Sequence, residues 1–192
     1  MAKYNFGHSC RSTIEEVLDL LAEPFKRGLL LNIELKNGFF AYGGMEEMIV
    51  KLIDERGLND NIVYSSFSAK SIALIRQLNP KACTGLLGGA VSDLYWKYRH
   101  VCGADALHPI IDGMDVEPRL LRESGMPIRA WMRAPLFSER ITRLGGASGK
   151  ENSITKAGDA GVPIADIAGL KAKGVTDLFV NEPEKYLSSA DL

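Results

Sequence analysis

The sequence predicts an α/β protein built on a parallel sheet with helical crossovers. Three observations point there. Short apolar strand-like runs alternate with amphipathic helical stretches along most of the 192 residues. Helix-stop signals recur between them, at Gly57, Asn79-Pro80, Gly125 and Gly174. One strand carries polar residues on one side only, which a sheet covered by helices tolerates at few places.

The elements follow in order. Ser12 to Leu21 opens with a cap-like Ser12 followed three positions later by Glu15, and its apolar residues Ile14, Val17, Leu18 and Leu21 share a helical face. Leu29 to Lys36 reads as a strand. Met45 to Arg56 reads as a helix with Met45, Met48, Ile49 and Leu52 on one face. Then come a strand at Asn61 to Phe67, a helix at Ala69 to Leu78, a short strand at Cys83 to Leu87 and a helix at Val91 to Val101. A strand at Ala104 to Pro109, a helix at Glu117 to Glu123 and a strand at Pro127 to Met132 continue the rhythm. A helix at Ile164 to Lys173 and a strand at Thr176 to Asn181 close it. That makes about six strands alternating with helices. The chain opens on a helix, and a strand is expected upstream of it.

Ala134 to Pro163 breaks the rhythm. It is rich in Gly, Ser, Lys and Glu, and contains Gly145-Gly146-Ala147-Ser148-Gly149-Lys150. A phosphate-binding loop would need Gly at 144 and Ser or Thr at 151, where Leu144 and Glu151 stand. A mobile insertion within a single domain, 1–192, is the expectation.

Composition excludes several classes. Net charge is −1, so bulk electrostatics favour neither nucleic acid nor an anionic surface. No apolar run reaches the roughly 18 residues of a membrane span. Cys10, Cys83 and Cys102 are odd in number and lack CxxC spacing, so they read as reduced thiols of a cytoplasmic protein.

The strand Leu31-Asn32-Ile33-Glu34-Leu35-Lys36 is the most informative stretch. Leu31, Ile33 and Leu35 point one way, suited to packing under helices, while Asn32, Glu34 and Lys36 point the other. At the C-terminal mouth of a barrel, Glu34 could hold a divalent cation and Lys36 an anion. On an edge strand the same two residues would form a plain salt bridge. Both readings stay open on the residues alone.

Several segments, in order, resemble the glycerophosphodiester phosphodiesterase family. They are Ser12 to Leu18, Leu31 to Lys36, Gly57-Leu58 leading to Ile62 to Phe67, and Thr84-Gly85-Leu86-Leu87. Gly103 to Pro109, the Trp131 strand and Gly174 to Pro183 complete the set. The resemblance implies a TIM barrel, here incomplete with the first two βα units missing, since a full barrel takes roughly 250 residues. It implies hydrolysis of small-molecule glycerophosphodiesters to glycerol 3-phosphate and an alcohol, with Mg²⁺ or Ca²⁺. Glu34 matches the family's metal-binding glutamate on the third strand, Lys36 its phosphate-facing lysine, and Trp131 a pocket tryptophan. The family's His-Arg-Gly, Glu-Asn-Thr, Glu-x-Asp and His-Asp motifs do not occur in this sequence. The catalytic residues are therefore unassigned, and a barrel that binds phosphorylated ligands without turnover is the alternative. Where the family commonly reads Trp-Thr-Val-Asn, this chain has Trp131-Met132-Arg133-Ala134. His8 is followed by no Arg-Gly, and His100 reads as a surface residue. His108, at a strand end, either faces the pocket or packs structurally. An open barrel also leaves two sheet edges, which predicts self-association.

Overall fold

The structure is a computed structural model describing residues 12–38, 40, 42–132, 155–157 and 163–180. Six strands run parallel: β1 (Leu31–Leu35), β2 (Ile62–Ser66), β3 (Cys83–Gly88), β4 (Ala106–Pro109), β5 (Arg129–Trp131) and β8 (Asp177–Phe179). The first four form one sheet in sequence order. Parallel bridges Leu107 to Ile128 and Ile110 to Trp131 join β4 to β5, and β5 pairs with β8. This arc of six parallel strands with helical connections, the parallel sheet the periodicity predicts, is an incomplete (β/α)8 barrel, as the family resemblance implies.

Seven α-helices are described: α1 (Ile14–Leu20), α2 (Ala22–Lys26), α3 (Met45–Glu55), α4 (Ala69–Leu78), α5 (Val91–Lys97), α6 (Pro118–Ser124) and α7 (Ile167–Ala172). The cap of α1 lies one residue later than the sequence suggests. Thr13 is the N-cap and Glu16 completes the capping box. Both Ser12/Glu15 and Thr13/Glu16 fit the spacing, and burial of Leu18 is satisfied by either. The expected helix through Val101 ends at Lys97 and passes into a π-turn, Tyr98–Cys102, closed by Gly103 in the left-handed region at φ 59°. Most of the expected insertion lies outside the described residues. Its described part includes β6 (Thr155–Ala157), which pairs antiparallel with β7 (Pro163–Ala165). Residues 163–165 are therefore strand, and the helix expected from Ile164 starts only at Ile167, where Asp166 caps the Gly169 amide.

The helix-facing side of the sheet carries the core. Leu35, Ile62 and Tyr64 pack with Leu18, Phe25, Ile49, Val50 and Ile53 from α1 to α3. Leu86, Leu107, Ile128 and Ala130 pack with Ile72, Val91, Leu94, Leu121 and Leu170. The buried stripe of α3 differs from the expected one. Glu46, Ile49, Val50 and Ile53 are buried, and Met48 is exposed. Glu46 is buried because its Oε1 accepts hydrogen bonds from Asn37 Nδ2, at 2.6 Å, and from the Ser71 hydroxyl. Asn37 Nδ2 also reaches Ser71 Oγ, and the Ser66 hydroxyl meets Leu35 O and Asn37 Oδ1 at 3.1 and 2.8 Å. This network ties the chain just after β1 to the start of α3 and α4, so the buried carboxylate is satisfied.

Tyr64 is the exception in that core. Among the described residues its buried hydroxyl has no hydrogen-bond partner, and burial, with the charge of Asp54, pushes its pKa up to about 12. A buried hydroxyl without a partner costs about 1–3 kcal/mol. Tyr64→Phe is therefore expected to raise stability by about 1 kcal/mol in urea unfolding at neutral pH. A loss of stability would show that the hydroxyl has a partner in solution.

Candidate functional site

Register partners in a parallel pair point to the same face, so the pairing defines the inward side. Glu34 lies beside Ser65, Ser65 beside Gly85 and Gly85 beside Ala106. His108 stands one step further along, beside Leu87. Trp131 and Phe179 are partners on β5 and β8. Through Leu107–Ile128 and Ile110–Trp131, the same alternation puts Trp131 on the inward side with His108. The inward face thus carries Glu34, Ser65, His108 and Trp131, on four strands.

His108 is fully buried. Its imidazole lies flat on Gly85: a Cβ added there would meet His108 Cε1 at 2.1 Å and Nε2 at 2.2 Å. The Phe179 ring covers it at 5.1 Å between centroids. Burial, with the nearby Arg129 cation, holds its pKa down to about 4, against a smaller opposing pull from Asp177. The ring is therefore neutral at physiological pH, and among the described residues neither nitrogen has a hydrogen-bond partner. Of the two readings the sequence leaves open, the structure places His108 inside, on the inward face. Trp131 anchors to it: its indole Nε1 donates to the His108 carbonyl at 3.0 Å, and Phe67 meets its ring edge-on at 5.9 Å. Trp131 is half-buried.

Glu34 and Lys36 form an ion pair at 2.7 Å, with the lysine side chain 79% exposed and the glutamate 27%. Glu34 Oε1 makes no hydrogen bond of good geometry despite that contact. The ammonium satisfies it by charge and not by direction, and the long exposed lysine stem makes the pair easy to open. The Ser65 hydroxyl next to it on β2 is fully buried and also lacks a partner among the described residues.

Among the described residues no group of three His, Cys, Asp or Glu side chains could hold a metal. One carboxylate with an ammonium on its oxygen does not make a Mg²⁺ or Ca²⁺ site, because such ions take six or more oxygens. The described residues alone do not fit the expected cation. Their described histidines also do not form an acid–base pair: His100 is exposed on the π-turn and His108 is buried. His8 lies outside the described residues.

No family model matches the chain. Over 103 residues it is 33% identical to a glycerophosphodiester phosphodiesterase of Bacillus altitudinis, covering 54% of this chain and 41% of that protein. A second such enzyme, of Caldanaerobacter subterraneus, is 28% identical over 122 residues, covering 62% of this chain and 48% of that protein. The chain thus matches less than half the length of these curated relatives. Among solved structures, an Oleispira antarctica phosphodiesterase in complex with its product sn-glycerol-3-phosphate superposes with a TM-score of 0.58 at 18% identity, covering 94% of this chain and 61% of that one. A glycerophosphodiester phosphodiesterase of Parabacteroides distasonis gives 0.57 at 18% identity, covering 94% and 65%. The fold is that of the glycerophosphodiester phosphodiesterase barrels.

Sequence reasoning named Glu34, Lys36, His108 and Trp131, and missed Ser65 and Gly85 as parts of the same face. The signal for Gly85 was present: a glycine inside a strand marks close approach of another group, here an imidazole. Ser65 had no comparable signal, since Ser65 and Ser66 alternate and only pairing tells which one points inward.

Proposed function

We propose that this chain forms the ligand-binding part of a phosphodiesterase acting on glycerophosphodiesters. The observation carrying the reading is the inward face itself, on a barrel whose sequence relatives are glycerophosphodiester phosphodiesterases. A carboxylate (Glu34) and an ammonium (Lys36) stand at the C-terminal end of β1 and just past it, and an aromatic ring (Trp131) stands on the same inward face on β5, with the buried neutral imidazole of His108 beside it. Lys36 suits the phosphate: its ammonium is a flexible point charge that can leave Glu34 for a ligand oxygen. Freed of the lysine, Glu34 is the described carboxylate suited to one position of a divalent-cation site, and the cation would neutralise charge on phosphoryl oxygens. Trp131 offers an apolar wall to the alcohol portion. His108, neutral and fully buried beneath Phe179, supports this face from within and does not meet the ligand.

A second reading, binding without turnover, is favoured by one observation. The described residues place neither of their histidines where it could exchange protons with a bound ester, and general acid–base catalysis is worth about 10²–10⁴-fold.

Binding tests both. Titration with glycerol 3-phosphate, followed calorimetrically and by tryptophan fluorescence, is expected to show saturable binding. Lys36→Ala is expected to weaken it about tenfold or more, the loss of one charge-assisted contact. Unaltered affinity in Lys36→Ala would move the phosphate site elsewhere, and absence of binding by the unaltered chain would overturn the reading.

A further inference from the structure

One buried polar group on the inward face has no part in the binding contacts above. Ser65 is 0% exposed, and among the described residues its hydroxyl has no partner. A buried hydroxyl in that state costs stability, and alanine would fill the same place without the cost. The pairing leaves few groups within its reach. β2 lies between β1 and β3, so its backbone is committed to two ladders. Along β2 the inward neighbours of Ser65 are Val63 and Phe67, which have no polar side-chain atom. On β3 its partner is Gly85, which has no side chain, and the His108 ring lies over that glycine. On β1 its partner is Glu34, one strand spacing or about 4.8 Å away across the sheet.

Glu34 is also a partner of the right kind. A carboxylate only accepts, and a serine hydroxyl has one proton to give. Glu34 Oε1 itself makes no hydrogen bond of good geometry and is held by the charge of Lys36 at 2.7 Å. We propose that Ser65 is a positioning residue for Glu34: when Lys36 turns to a ligand phosphate, the Ser65 hydroxyl donates to the carboxylate left behind. This rests on the reading of Lys36 as the partner of the phosphate. The carboxylate then exchanges an exposed, flexible ion pair for a buried charge-assisted hydrogen bond. Because that bond forms only when the ammonium leaves, it favours the bound state over the free one. It also holds Glu34 in one direction as the site fills.

Two measurements on the full chain test this separately. The first contains no ligand: urea unfolding of Ser65→Ala, of Lys36→Ala and of the double variant, where Lys36→Ala stands in for departure of the ammonium. With Lys36 present, Ser65→Ala is expected to leave the unfolding midpoint unchanged or higher, because it removes an unmet hydroxyl. With Lys36→Ala in place, the same substitution is expected to lower the folding constant about tenfold, because the hydroxyl then holds Glu34. A purely structural serine, or one whose partner is His108, would lose equally in both backgrounds, and that result overturns the proposal. The second is calorimetric titration with glycerol 3-phosphate. Ser65→Ala is expected to bind it about three- to tenfold more weakly while being no less stable. Unchanged affinity in Ser65→Ala overturns the proposal and leaves the phosphate reading standing. No binding by the unaltered chain overturns the phosphate reading, and the unfolding comparison then still decides whether Ser65 holds Glu34.

Discussion

Fusing a βαβ segment that bears a His-Arg-Gly strand and a Glu-x-Asp strand ahead of β1 is expected to raise hydrolysis of glycerophosphodiesters, with Mg²⁺ or Ca²⁺ present, by about 100-fold or more over the chain alone. The reason is stoichiometric. On the proposed reading Lys36 is the phosphate partner, Glu34 one carboxylate and Trp131 a pocket wall, and among the described residues there is neither a group of three metal-ligating side chains nor an exposed histidine pair. On the proposed reading the added segment would supply both beside β1. Release of glycerol 3-phosphate is the measurement. Glu34→Ala in the fused protein is expected to return the rate to that of the chain alone, because a divalent site that loses a carboxylate loses most of its affinity. If the chain alone already turns over at the fused rate, the groups doing the chemistry are ones described above as structural.

The second large effect concerns acid. His108 has an ordinary pKa of 6.5 in an unfolded chain and about 4 in the fold. The unfolded chain therefore takes up a proton first as pH falls. The stability that depends on a neutral His108 is fully present above about pH 6.5 and is lost progressively down to about pH 4, by about 3 kcal/mol in all. Below that, both states bind the proton and this contribution stops changing. Urea unfolding at pH 7.5, 5.5 and 4.5 measures it. His108→Gln, which cannot ionise, is expected to start less stable at pH 7.5 yet decline less across the same window. Parallel decline in both proteins would show that other groups, such as the carboxylates, account for the acid sensitivity.

The fold was legible because its determinants are local. Alternation in Leu31 to Leu35 and helical periodicity in Ile14 to Leu21 report directly on which side chains are buried, and all six parallel strands lie where the periodicity puts them. Errors fell where a remote partner decides the outcome. The face expected on α3, Met45, Met48, Ile49 and Leu52, does not include Glu46, and Asn37 and Ser71, from outside that helix, make its burial tolerable. The break at Lys97 reflects a π-turn that no residue type announces. The strand at residues 163–165 exists through pairing with residues 155–157, which a single-segment reading cannot contain. For the site, Glu34 and Lys36 were visible as polar interruptions of a strand otherwise built for burial. Ser65 became visible only once its register with Glu34 and Gly85 was known.

The contact between Gly85 and the His108 ring also bears on how such a sequence can change over time. The ring occupies the volume that any side chain at position 85 would need, and Phe179 closes the far side. Position 85 is not free to drift by itself. A methyl group at 85 has to arrive together with a smaller residue at 108, and a histidine at 108 confines 85 to glycine. The two sites form one packing unit on neighbouring strands, so a side chain at 85 depends on what stands at 108, 22 intervening residues away.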